Sequence, residues 1–118
     1  MYSPIFNPMP FGPVNVPVPG TPVELTAQLV ASGACRQGDP VAVNKISVVS
    51  LPTNTGAVYV GIAGMNKSTM QGVLFVFSAS NIGWQITNNE GANTYRFDEI
   101  YVDADVAGEG VYGGIDQV

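Results

Sequence analysis

The sequence contains no histidine, a single cysteine and only four basic residues among 118. Each shortage removes a class of protein. Without histidine there is no Ser-His-Asp or Cys-His nucleophile and no imidazole ligand for a metal. Cys35 stands alone, so no internal disulfide is possible, and it reads as a small buried or half-buried thiol rather than a reactive one. Arg36, Lys45, Lys67 and Arg96 face nine acidic residues, for a net charge of −5. That leaves no cationic footprint to displace counterions from nucleic acid, and an anionic membrane surface is disfavoured for the same reason. Charged residues make up 11%, far below the usual roughly 25%. No apolar run reaches membrane-spanning length, the longest (73–77) being strand-sized. No basic region followed by an apolar stretch opens the chain, so the expectation is a protein made in a cytoplasm and not exported by the usual route.

What remains is Asn, Thr, Ser and Gln, with 14 glycines, 9 prolines and 46% hydrophobic residues. This is too apolar for disorder. A neutral polar surface with few charges suits a protein largely covered by other proteins. Residues 1–22 hold seven of the nine prolines, which rules out helix and central strand and implies an extended arm. Ile5, Phe6, Met9, Phe11, Val14, Val16 and Val18 are interleaved with those prolines. They need cover, from the parent domain's own surface or from a neighbouring subunit. A pre-stiffened arm loses less entropy on docking, which favours the neighbour and marks these seven as partner-binding residues.

From Thr21 the pattern turns to period two, the strand signal. Val23, Leu25, Ala27 and Leu29 alternate with polar residues. Residues 41–51 read as a long strand, with Val43, Lys45 and Ser47 set against Ile46 and Val48, and a slip before Val49 and Leu51. Residues 57–62 follow, with Val58, Val60 and Ile62 on one face. Further strand pieces lie at 72–78, 84–87, 95–97, 100–103 and 111–115, separated by Gly, Pro and Asn turns. About seven or eight short strands at such spacing, with no helical segment longer than a turn, predict an all-β antiparallel sandwich, jelly-roll or immunoglobulin-like. The expected division is an arm over 1–20 and a sandwich over 21–118.

Three candidate sites follow from residue types. Residues 61–68, GIAGMNKS, resemble a phosphate-binding loop in which Asn66 replaces the second glycine, but the sequence beyond reads as turn and strand rather than the required helix. Asp98, Glu99, Asp103, Asp105 and Glu109 form the one acidic cluster. Asp103, Asp105 and Glu109 are a faint Ca²⁺ candidate without full loop spacing, against a solvated strand edge; no other metal, no cofactor and no catalytic residue is expected. Asn66-Lys67-Ser68 matches a glycosylation acceptor, a chance match without a secretory signal. Trp84, Tyr95 and Asn88-Asn89 could form a sugar platform, although a lone tryptophan in a β-domain more often packs in a core or interface.

Two stretches carry a resemblance: KISV with PTNTGAVYVG over 45–61, and DEIYVDADVAGEGV over 98–111. Together they resemble small virion proteins of tailed bacteriophages, in which an NTG-aliphatic-YVG turn and strand precede a YVDA…AG-acid-GV strand pair. The resemblance covers about the last two-thirds of the chain. It implies a β-sandwich that serves as a capsid decoration (cement) protein, or as a head-fibre or tail module, located in the virion. The expected partners are the major capsid protein or other virion proteins, with the chain itself a homo-oligomer, a trimer favoured. Residues 73–77 depart from the family pattern in being unusually apolar and lacking a proline, which suggests a face buried by a partner. The alternative is a carbohydrate- or receptor-binding module of a fibre. A hydrolase using Asp98 or Asp103 is the least favoured reading, and the expectation is that the protein is not an enzyme.

Overall fold

The computed structural model describes residues 7–78, 80, 82–87 and 95–117. Ten strands lie among them: β1 (Asn7–Pro10), β2 (Val14–Asn15), β3 (Val23–Glu24), β4 (Ala42–Ser50), β5 (Val58–Asn66), β6 (Gln71–Phe77), β7 (Gly83–Thr87), β8 (Tyr95–Arg96), β9 (Ile100–Ala104) and β10 (Gly110–Gln117). All pairings are antiparallel, in two sheets. One runs β1-β10-β4-β7, with β2 also on β10 and β8 also on β4; the other runs β3-β9-β5-β6. The expected all-β sandwich is thus the fold. Inward residues of both sheets form one core, including Val43, Ile46, Val48, Val58, Val60, Phe77, Val102 and Val111.

The proline-rich stretch is not a free arm. Phe11, Val14 and Val16 are 1%, 2% and 0% exposed, and the Phe11 ring lies 5.1 Å from that of Phe97. These three, expected to meet a neighbouring subunit, are core residues of their own sandwich, and Met9 packs half-buried against the same core. Val18 is exposed, while Ile5 and Phe6 lie outside the described residues. The prolines fit because β1 is an edge strand. The amide of Phe11 donates to the Gly113 carbonyl, so by alternation Pro8 and Pro10 sit where a strand's N–H points away from β10 and is not missed. The boundary expected at residue 20 therefore does not separate a packed unit from an unpacked one.

Two local readings also change. Residues 27–31 form a five-residue helix, α1 (Ala27–Ala31), rather than strand. Leu25 and Leu29 are both buried; four residues apart, they fit a strand's period of two and a helix's one-turn repeat equally well. The helix ends because Gly33 takes φ +82°. That turns the amides of Gly33 and Ala34 back onto the carbonyls of Val30 and Leu29, the glycine-terminated helix end. In β4 the slip lies at Asn44, not before Val49. Asp116 and Gln117 oppose Lys45 and Val43, leaving Asn44 unmatched, so Val43 joins Ile46 and Val48 on the core side.

Candidate functional site

The β5–β6 hairpin carries the molecule's most distinctive surface. Strand β6 is the outer strand of its sheet. Residues 58–77 include one charge, Lys67, and Lys67 is turned back on the body. Its Nζ donates to the Ala104 carbonyl at 2.7 Å and meets Asp105 at 3.2 Å. Opposite β6, Val60 pairs with Phe75 but Gly61 pairs with Val73. Leu74 is therefore bulged and stands 49% exposed. The inward Phe75 packs 5.0 Å from Phe77 and 6.3 Å from the stacked ring of Trp84 on β7, closing the gap between the two sheet edges. Trp84 is accordingly a half-buried packing residue, not an open sugar platform. Asn88, Asn89 and the side chain of Tyr95 lie outside the described residues.

Beyond the pair Ile62–Ile100, the last between β5 and β9, the hairpin continues without that neighbour. Ile62, expected to face the core, is 48% exposed there, as is Met70. Met70 also has φ +64°, the only non-glycine among the described residues in the left-handed region. Holding a methionine there costs on the order of 1 kcal/mol. At the turn, Asn66 Oδ1 accepts the amides of Ser68 and Thr69 at 2.9 and 3.2 Å. In a phosphate-binding loop such amides face the anion; here the side chain at the second glycine's position occupies them, and strand β6 follows instead of a helix.

The acidic residues are spoken for individually. Asp103 Oδ1 accepts the amides of Gly20 and Ala104. Asp105 meets Lys67 and the Tyr59 hydroxyl. Glu109 accepts the Thr55 amide and hydroxyl and the Gly56 amide, at 2.7 to 2.9 Å, tying the 52–56 turn to the start of β10. Asp98 is gripped by the Arg96 guanidinium and also accepts the Val41 amide. Asp103, Asp105 and Glu109, the Ca²⁺ candidate, thus face separate partners; among the described residues no three His, Cys, Asp or Glu side chains group as a metal site. Burial raises the pKa of the half-buried Cys35 thiol, with Asp39 and Glu24 adding to it, so its nucleophilic form is disfavoured.

Two carboxylates are held below their ordinary range: Asp98, chiefly by its hydrogen bond with Arg96, and Glu109, chiefly by the Gly56 amide and then Thr55. A carboxylate whose folded pKa is depressed contributes stability present above its unfolded pKa and lost as pH falls through the folded value. Stability is therefore expected to fall as pH drops from about 5 toward 2. Glu109→Gln should give a shallower fall, read as melting temperature against pH. Equal slopes in the two proteins would remove Glu109 from this account.

Sequence reasoning singled out the apolar run 73–77 but not Leu74, Ile62 and Met70 as its exposed members, since exposure depends on where β6 ends up in the sheet. The chain matches no family model, no curated protein and no solved structure.

Proposed function

We propose that this chain is a structural subunit that binds neighbouring proteins of a larger shell through the outer edge of β6 and the hairpin tip. The carrying observation is that β6 is an edge strand with an exposed leucine, flanked by exposed Ile62 and Met70, and no charge to deter pairing. Edge strands of monomers are commonly blunted by lysine, proline, inward charge or a bulge; β6 has only the bulge at Leu74, which itself turns an apolar side chain outward. A neighbouring strand added to β6 would satisfy its open backbone groups while covering Leu74. Repeated around a lattice, even weak contacts of this kind hold a shell by multivalency.

The kind of shell comes from the sequence resemblance: the head of a tailed phage, with the chain as a decoration protein on the major capsid protein, itself a symmetric oligomer. Since Phe11, Val14 and Val16 are committed to the core, the grip comes from the hairpin rather than from the arm. The test is cosedimentation of the full chain with heads of its own phage that lack it. Leu74→Lys, at an exposed position, should leave the melting temperature unchanged and weaken binding about tenfold or more. Binding that survives the substitution undiminished would overturn the role of β6.

A further inference from the structure

The opposite sheet presents a different surface. Register places the outward residues of β1, β10, β4 and β7 in rows across the strands. Pro10, Gly114, Ser47 and Gln85 make one row. On one side of it, Asp116 opposes Lys45; on the other, Tyr112 opposes Val49. The middle row is low, because Gly114 has no side chain and Ser47 a short one. The result is a trench perpendicular to the strands, seen as two shallow hollows of about 280 and 300 Å³ that share Ser47. Flanking rows four residues apart give it a width of roughly 13 Å, and three interstrand steps a length of roughly 14 Å.

Among the described residues, only one side-chain hydrogen bond is made across it. Gln85 donates to the Ser47 hydroxyl at 3.1 Å across the floor. The side chains of Lys45, Asp116 and the 40% exposed Tyr112 make no hydrogen bond or ion pair among the described residues. We infer that this trench binds a neutral oligosaccharide. A sugar chain offers closely spaced hydroxyls that both donate and accept, matching an acceptor carboxylate, a donor ammonium and an amide. Tyr112 lines neither hollow, but it stands on the bank opposite Val49, where its ring offers an apolar face with a polar tip to a sugar's C–H surface. A polyanion is disfavoured because the trench's single cation is offset by Asp116 and the whole chain is at −5. A peptide gains little, because strand addition could use only the outer edges of β1 and β7, which run across the ends of the trench rather than along it.

This inference is independent of shell binding, which uses the other sheet. The test is amide chemical-shift titration of the full chain with four neutral hexasaccharides: cellohexaose, chitohexaose, mannohexaose and maltohexaose. At least one should move the amides of Ser47, Gln85 and Gly114. Gly114→Leu fills the floor, and the nearest atom to its Cβ would be the Met9 carbonyl oxygen at 3.4 Å, an ordinary contact. It should weaken binding about tenfold or more, and Tyr112→Ala likewise, while Leu74→Lys binds as the parent does. The inference is overturned if none of the four sugars moves those amides, as when a protein rather than a glycan covers this face. It is equally overturned if both trench variants bind unchanged.

Discussion

A chain that begins at residue 17 is expected not to fold. The deletion removes β1 and β2, both paired with β10, and three side chains that are at most 2% exposed. Losing a core phenylalanine costs about 3–5 kcal/mol, and each buried valine about 1.5–3 kcal/mol. Together these approach the whole stability of a domain this size, about 5–15 kcal/mol. The loss also strips one side of β10 bare. Circular dichroism should show no cooperative thermal transition for residues 17–118, whereas the full chain shows one. A melt of the shorter chain within a few degrees of the longer would mean that Phe11, Val14 and Val16 are peripheral to the core.

Gly113→Ala should be nearly as damaging, although it adds one methyl group. Gly113 faces Val48 across the β10–β4 ladder. A Cβ there would stand 1.9 Å from the Ser47 carbonyl oxygen and 3.0 Å from the Phe11 ring. The carbonyl belongs to a central strand and cannot move without breaking its pairs, so a loss of about 4 kcal/mol or more is expected. Its neighbour provides the control. Gly114 points outward with nothing nearer than 3.4 Å, so Gly114→Ala should cost little. Urea unfolding of both variants measures the contrast, and equal midpoints would contradict the close approach of β10 to β4.

The sandwich was legible because period-two alternation and turn residues are local signals. Val58, Val60, Ile100, Val102 and Val111 sit inward as that pattern requires. What failed to show depends on partners distant in sequence. The prolines at 8 and 10 argue against a central strand, and correctly so, but only the pairing of residues 7–10 with 114–117 makes them an edge strand of the same body. Leu25 and Leu29 suit two periods, and Gly33 marks only where the helix ends. The bulge at Asn44 is invisible until β10 lies alongside. Much the same holds for the surfaces. The run 73–77 announces itself as apolar, yet its position at the outside of a sheet is set by β5 and β9. The trench needs Gly114, Ser47 and Gln85 in one row, drawn from three strands, and no spacing along the chain betrays that.

The position of β10 between β1 and β4 also sets a timetable. This strand is synthesised after every strand it must join, so the middle of its sheet is missing while the ribosome is still at work. Until residues 110–117 emerge, β1 and β2 have no partner in their sheet and β4 is paired only along the edge that takes β7 and β8. Such long-range closure is slow and leaves sticky strands open meanwhile. The nascent polypeptide should therefore lean on chaperones, and its yield in cells should fall more steeply with temperature than its finished stability implies.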